Sequence, residues 1–260
     1  MTKVAIRKKN VLDSVEALIK LLDRTPTTRD PHSHVRLWFR GQSNITWDLK
    51  PKLYRDDFRP IDEKDRHRIE SHLNLDFKAL SVANLSGQET DEELYFLQQH
   101  FGMRTRLVDW STNPLIALWF AVENLSKDDG VLFLMDVYQM QDLPEFFGIA
   151  SPDHSFFTNS LKSIKKFEFP GSFPNTVFPI RPAHKNQRIR HQQSFFTFHV
   201  PSNPILTKKN NPSLQHYLIP ASAKKEILRA LRMLGIDAYF VYGGLEKLSS
   251  ELDYAYIGRF

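Results

Sequence analysis

The densest group of chemically capable side chains in this sequence lies within residues 98–110, which read QQHFGMRTRLVDW. His100 titrates near neutral pH and can serve as an acid, a base or a hydrogen-bond donor. Thr105, Arg106 and Asp109 follow it, and so many polar residues in a short connection are hard to explain by packing alone. The segment joins two apolar runs with helical spacing, where a loop is well placed to present side chains to a ligand. This pattern predicts a binding or catalytic site.

Part of this stretch also has a structural interpretation. Gly102 can adopt the left-handed conformation that ends a helix, and Asp109 can begin the next one. A cationic His100 would favour the C-terminal end of the first helix, and an internal pair between Arg106 and Asp109 would make the turn rigid. Capping explains Gly102 and Asp109 better than it explains His100, Thr105 and Arg106.

A second candidate lies in the strand-like sequence LWFRG. Strand alternation points Leu37 and Phe39 to the core and places Arg40 on the opposite face. An arginine at a strand end is a good bidentate anchor for phosphate or carboxylate, and Gly41 lets the backbone bend or approach a ligand closely. The alternative is a structural salt bridge from Arg40 to Asp109 or to another acid.

Two further candidates lie later in the chain. Gln193 and Ser194 stand where a strand begins and can offer hydrogen bonds to an amide, although a solvated strand entry gives the same pattern. Glu246 follows two glycines at the start of the last predicted helix, where acids commonly serve only to favour the helix N-terminus. No lysine follows these glycines at the spacing of a phosphate-binding loop.

Composition limits the classes of function. The 260-residue chain carries a net charge of +5 and has an isoelectric point near 9.3, which favours polyanionic partners such as nucleic acid or a phosphate-bearing cofactor. A soluble protein with a mild basic excess is the alternative. The absence of cysteine excludes disulfides, thiolate metal sites and a cysteine nucleophile.

No other metal-ligand spacing is present, no apolar run reaches membrane-spanning length, and the first residues lack the apolar stretch of a secretory signal. We therefore expect a cytoplasmic protein with neither a bound metal nor a membrane partner.

The hydrophobic pattern predicts an α+β fold, a single mixed domain with a helical N-terminal half and a small central sheet. Residues 1–30 are predicted as an N-terminal helical segment, and residues 31–260 as the main domain with a long irregular excursion at 139–192. Helices are predicted at Val11–Arg24, Glu63–Leu85, Glu92–Phe101, from Thr112 or Asn113 onward, at Ala221–Leu234 and at Gly244–Ile257. Strands are predicted at Val35–Gly41, Gly130–Val137, Ser194–Val200, Leu214–Ile219 and Ile236–Tyr242. In the last helix, the core-facing residues are predicted to be Leu245, Leu248 and Leu252.

Three blocks of sequence together resemble the FRG-domain family, which is named for the Phe-Arg-Gly motif found here as Phe39–Gly41. The blocks are Trp38–Gln42, Leu97–Ala121 and a looser one at Arg188–Phe196, in which Ser194 stands where glycine is expected. The matching order covers about residues 10–258. The resemblance implies a bacterial or phage-associated cytosolic protein and does not imply a settled reaction.

The leading hypothesis is an NAD-dependent enzyme resembling ADP-ribosyltransferases, or an NAD glycohydrolase, acting as a toxin or anti-phage effector. The order of Arg40, Ser194 and Glu246 is similar to the arginine, serine and glutamate order of toxin-type ADP-ribosyltransferases. That similarity implies that Arg40 holds the NAD phosphates or ribose, Ser194 supports the nicotinamide half and Glu246 stabilises an oxocarbenium-like state. Glu251 and Asp253 are alternative acids. The remaining predicted pocket residues are Gly41, His100, Thr105, Arg106, Asp109 and Gln193.

The alternative is a non-catalytic module that binds a nucleotide or nucleic acid. Its candidate contacts are Arg40, Arg104, Arg106, Arg188 and Arg190. Net charge supports this hypothesis, as does the lack of an obvious nucleophile or metal site. A single site requires Arg40, His100 and Arg106 to line one cleft. A protein partner is not predicted by either hypothesis.

Overall fold

An antiparallel sheet lies at the centre of the structure, a computed structural model that describes residues 10–26, 33–55, 61–140, 148–170, 177–182 and 187–258. Its strands are β1 (Leu37–Gln42), β2 (Leu107–Ser111), β3 (Gly130–Asp136), β4 (Phe178–Ile180), β5 (Ser194–Phe198) and β6 (Gln215–Ile219). The six strands lie in the order β4-β5-β2-β1-β3-β6, so β2 and β1 are the central pair.

Helices pack around this sheet, and those that contribute to its apolar core lie on the face that carries Phe39 and Leu107. The helices are α1 (Val15–Arg24), α2 (Ser33–Arg36), α3 (Glu63–Leu80), α4 (Asp91–His100), α5 (Pro114–Val122), α6 (Ser155–Lys165), α7 (Gln187–His191), α8 (Lys224–Met233), α9 (Ala238–Tyr242) and α10 (Leu245–Ile257). Several begin at side-chain caps, including a reciprocal box in which Thr90 and Glu93 each accept from the other's backbone N–H. The mixed helices and antiparallel sheet confirm the predicted α+β class.

The two faces of β1 pack into different apolar clusters, as strand alternation predicts. Leu37 and Phe39 belong to the cluster that α5 and α8 cover, whereas Trp38 packs on the opposite face. There the Trp38 ring lies 4.9 Å from that of Phe195 on β5. The sheet is therefore buried on both faces, and Arg40 extends from the same face as Trp38.

The close packing of α5 on β1 explains Gly41. A Cβ atom at this position would lie 1.9 Å from the carbonyl oxygen of Ala117 and 2.6 Å from the nitrogen of Ala121. Likewise, a Cβ atom at Gly130 on the neighbouring strand would lie 2.6 Å from the carbonyl oxygen of Ala121. The helix backbone thus occupies the space that any larger residue at position 41 needs.

Residues 107–111 differ from the prediction of a loop between two helices, since they form the central strand β2. It pairs with β5 along its length, from Leu107↔Phe198 to Ser111↔Ser194. A strand buried on both faces lacks the alternation that identifies strands in sequence. The helix that follows is capped by Asn113, whose side chain accepts from Leu115 N at 3.0 Å, so Asp109 is not its cap.

The excursion at 139–192 contains more regular structure than expected, because α6, β4 and α7 all lie within it. Residues 141–147, 171–176 and 183–186 of this excursion lie outside the described part, as do residues 1–9 and 27–30 of the predicted N-terminal segment. α6 packs Phe157 on Phe96 of α4, with ring centroids 5.4 Å apart. Helix α6 therefore packs against α4, the helix that ends at His100.

The segment predicted as a strand at Ile236–Tyr242 is instead the helix α9. Its first turn is held by carboxylates, since Asp237 accepts from Phe240 N at 2.7 Å and Glu251 accepts from Ala238 N at 3.1 Å. These caps outweigh the strand propensity of an aromatic and β-branched sequence. Glu251 also forms a salt bridge with Arg232 at 3.0 Å.

Through this salt bridge with Arg232, the face of α10 that carries Glu251 packs inward. The inward prediction is wrong for Leu245, which is 81% exposed, and for Leu252, which is 49% exposed, whereas Leu248 is half-buried. The face that carries Glu251 and Tyr254 packs on Arg232 instead. In the described part of the chain, no helix is long and apolar enough to cross a membrane.

We expect Gly41→Ala to destabilise the fold severely, by more than about 3 kcal/mol, because the new methyl group overlaps main-chain atoms of α5 that cannot move independently. Urea unfolding measures the change. Gly87→Ala is the matched control, since Gly87 has a positive φ but open space around its Cβ position and should lose only about 1 kcal/mol. Equal losses in the two variants would contradict the packing explanation.

Candidate functional site

The two central strands of the sheet separate from one another, and the gap between them is the candidate site. In the described sheet, β1 pairs with β3 along its full length but with β2 only at Phe39↔Ser111. Where the strands diverge, they leave a cleft of about 290 Å³. Segments 50–55 and 99–103, together with α5, α7 and the start of β5, form its other walls.

Five cationic side chains line the cleft, namely Arg40, Lys50, Lys52, Arg55 and Arg188. Among the described residues that line it, Asp109 carries the only carboxylate. A concave site with this excess of positive charge concentrates anionic ligands and attracts them from solution. The arrangement therefore favours a phosphate-bearing or carboxylate-bearing ligand.

Arg40 lies at the base of the cleft and bridges the gap between the strands. Its Nη1 donates to the carbonyl oxygen of Asp109 at 2.7 Å and lies 3.6 Å from the Asp109 carboxylate. Its Nε is buried and meets no hydrogen-bond acceptor among the described residues. Burial lowers the pKa of Arg40, Asp109 opposes this shift, and Arg55 adds to it. The predicted structural bridge to Asp109 and a ligand-binding role are therefore compatible.

The Asp109 carboxylate is held in place from the side of α4. Gln99 Nε2 donates to its Oδ2 at 2.7 Å, and the Thr105 hydroxyl in turn donates to Gln99 Oε1. Thr105 also accepts from Leu107 N at 3.1 Å. Because the Asp109 side chain remains 46% exposed, it is both fixed and accessible from the cleft. Thr105 itself is fully buried and does not line the cleft.

His100 lines the cleft at the end of α4. Burial, with a further contribution from the nearby Arg188 guanidinium, lowers the pKa of His100 to about 4. The imidazole is consequently neutral at pH 7, so it does not serve as the cationic partner of the helix dipole. A neutral imidazole offers one donor and one acceptor to a ligand.

Another wall of the cleft is built from α7 and β5. Arg188 lies with its Cζ 4.7 Å from the ring centroid of Tyr242, which orients the guanidinium. Gln192 donates to the Val241 carbonyl oxygen at 3.0 Å, tying this wall to α9. Ser194 lines the cleft as well and is nearly fully buried.

Arg106 has a different position from the one predicted. It is 2% exposed and does not line the cleft. Its guanidinium forms a buried salt bridge with Glu70 on α3, with Nη2 2.7 Å from Oε2. Tyr95 donates to the other oxygen of Glu70 at 2.6 Å and accepts from Arg106 N at 2.9 Å. Burial disfavours the charge, but the partners, Glu70 foremost, raise the pKa of Arg106.

The remaining predicted residues lie outside the cleft. Gln193 is exposed, has a φ of 47° and accepts from the Thr112 hydroxyl at 3.3 Å. Glu246 is exposed in the first turn of α10, Asp253 is exposed further along it, and Glu251 is engaged by Arg232. Of the predicted site residues, the cleft brings together Arg40, Gly41, His100, Asp109 and Ser194.

Sequence reasoning misses the cationic segment KPKLYR at 50–55. Three cations within six residues were the available signal, but such clusters usually mark a solvated surface. Nothing in the sequence shows that this segment folds against residues 102–105. The contact is long-range and depends on the bonds that Arg104 and Lys52 make.

A larger hollow of about 730 Å³ lies between α3 and α4, but it is a weaker candidate. Its two carboxylates already have local partners: Glu89 accepts from Ser86 N at 2.8 Å, and Glu93 completes the cap of α4. Hydrogen bonds from Ser86 lower the pKa of Glu89 to about 2. No group of three or more metal-ligating side chains occurs among the described residues.

Fold and site together define an α+β protein with a basic cleft between its two central strands. Residues 35–130 match the family model of the FRG domain, so this segment of the chain is similar to that domain. The matched segment contains Arg40, His100 and Asp109, whereas Arg188 and Ser194 lie beyond its end. No curated protein and no solved structure gives a significant match.

Proposed function

We propose that the cleft binds a nucleotide or another small phosphate-bearing ligand. The observation that carries this proposal is the convergence of five cationic side chains from three parts of the chain on one cleft, with the Arg40 guanidinium between the central strands. The volume of about 290 Å³ is near the lower limit of roughly 300–1,000 Å³ for small-molecule sites. It suits a mononucleotide, or one half of a dinucleotide.

The lining gives each part of such a ligand a suitable environment. Arg40 and Arg188 supply planar donors that match phosphate oxygens. Asp109 accepts hydrogen bonds from ribose hydroxyls, and the neutral His100 donates or accepts one. Phe120 and Met103 add an apolar wall against which a base can pack.

The positions of the arginines favour a small ligand over nucleic acid. Arg106 is buried in its pair with Glu70, and Arg104 is engaged with the carbonyl oxygens of Lys52 and Arg55. The predicted row of arginines is therefore not one continuous surface. A nucleic-acid interface would need such a surface to follow several phosphates.

We expect AMP or ADP to bind the wild-type protein in isothermal titration calorimetry, and adenosine to bind more weakly by at least about tenfold. Arg40→Gln should lose at least about tenfold in affinity for either nucleotide, because the buried donor set is removed. Arg229→Gln, an exposed substitution on α8, is the control and should change nothing. Equal affinity for adenosine and AMP, or wild-type affinity in Arg40→Gln, would contradict the proposal.

A second candidate function is cleavage of NAD, of the ADP-ribosyltransferase or glycohydrolase type. In this reaction NAD is consumed as a substrate. The observation that favours it is that Arg40, Ser194 and a carboxylate line one cleft. The carboxylate is Asp109, and we assign to it the role that sequence order suggested for Glu246. A toxin or anti-phage role would depend on this activity.

In this reaction the bond between the ribose C1′ and nicotinamide breaks, and nicotinamide leaves with the bonding electrons. Water, or a nucleophilic side chain of a target, then bonds to C1′ and releases a proton to solvent. The Asp109 carboxylate would stabilise the oxocarbenium-like charge that develops between these steps. Arg40 would hold the phosphates.

Mass spectrometry of nicotinamide released from NAD tests this second candidate. Asp109→Asn should lower kcat by at least about a hundredfold while leaving the KM for NAD within a few-fold, since the charge acts in the transition state. Glu246→Gln should keep wild-type turnover. Absence of turnover with the wild type, with and without cell extract as a source of acceptor, would remove this candidate and leave the binding proposal intact.

A further inference from the structure

The cationic residues of the cleft form two sets. The first is Arg40 and Arg188, and the second is the segment that contains Lys50, Lys52 and Arg55. Arg40 extends from β1, deep in the gap between the strands, and Arg188 comes from α7. Lys50, Lys52 and Arg55 come from a segment after β1 that lines the cleft and contacts Gly102 through Lys52. A ligand held by Arg40 alone would leave the second set unused.

The second set is built on a fixed backbone rather than on a loose loop. Arg104 Nη1 donates to the carbonyl oxygens of both Lys52 and Arg55 at 3.0 Å. Arg66 donates to the Leu53 oxygen at 2.7 Å, and Leu53 N donates to the Thr105 oxygen at 3.3 Å. Bonds from α3 and from residues 104–105 therefore hold this segment against the chain that leads into β2.

The cationic charges that line the cleft are only partly balanced by carboxylates of the protein. Arg40 faces Asp109, and Lys50 Nζ lies 3.9 Å from Asp48. Lys52 and Arg55 instead contact carbonyl oxygens, at 2.6 Å and 3.3 Å, and within the described ranges neither contacts a carboxylate. Arg55 lies close enough to Arg40 to disfavour its charge. Like charges held together at a cleft are relieved when an anion binds between them.

We propose that the ligand carries a diphosphate, with one phosphate on Arg40 and the other on Arg55 and Lys52. This inference rests on the proposed binding function and specifies the class of ligand. The shared chemistry is that of a nucleoside diphosphate, a dinucleotide or free pyrophosphate. The apolar wall formed by Phe120 and Met103 favours a ligand that also carries a base.

Calorimetric titration with AMP, ADP and inorganic pyrophosphate at one fixed salt concentration tests the inference. ADP should bind the wild type at least about tenfold more tightly than AMP, since the second phosphate adds charge-assisted bonds. In Arg55→Gln the affinity for ADP should fall to that for AMP, while the affinity for AMP stays within about twofold. Lys52→Gln should reduce the same preference, and the exposed variant Arg68→Gln should not.

The outcomes separate this inference from the function on which it rests. Equal binding of AMP and ADP by the wild type, or an equal loss for both in Arg55→Gln, would overturn the diphosphate assignment but keep phosphate binding. Failure of all three compounds to bind would overturn both. Tighter binding of ADP than of pyrophosphate supports a nucleotide ligand, and equal binding supports recognition of the diphosphate alone. Unchanged thermal unfolding of the variants establishes that they are folded.

Discussion

The Arg40 guanidinium donates to the main-chain oxygen of Asp109 at 2.7 Å, and it does so where the two central strands stop pairing. In a continuous sheet this carbonyl would accept from a backbone N–H of β1. The side chain replaces that donor, so the sheet can open without leaving a buried carbonyl unsatisfied. The cleft and its deepest cation therefore have the same origin, and the Phe-Arg-Gly motif supplies both the donor and, at Gly41, the room for α5 behind it.

A sheet whose central strands separate loses backbone hydrogen bonds there. Polar networks between β2 and the helices α3 and α4 stabilise this arrangement. The buried pair of Arg106 and Glu70, joined by Tyr95, fixes α3 and α4 to the start of β2. Removing one partner of such a pair typically costs about 3–5 kcal/mol, so the arrangement is well determined. Gln99 and Thr105 extend the same support to the Asp109 carboxylate. Thr105 and Arg106 of the polar stretch at 98–110 are thus structural, whereas His100 and Asp109 line the cleft.

Much of the helical framework follows from sequence, because caps such as Thr90 and Asn113 and the spacing of apolar residues are local signals. Strand β2 and helix α9 do not follow, since each is decided by tertiary partners: β5 on one side of β2, and Glu251 at the start of α9. The same distinction applies to the site. Arg40 and His100 lie together as predicted, but burial against Glu70 separates Arg106 from them, and the contribution of Lys52 and Arg55 depends on a long-range contact.

His100 offers the most direct measurement of whether anions bind in this cleft, because its imidazole lies in the lining and its pKa of about 4 is already depressed. An NMR titration, with the variant His100→Gln used to assign the resonance, reports that pKa with and without saturating ADP. A bound phosphate near His100 favours the imidazolium and should raise the pKa measurably above its value in the free protein. ADP that binds by calorimetry but leaves both the resonance and the pKa of His100 unchanged would place the ligand elsewhere and contradict the account.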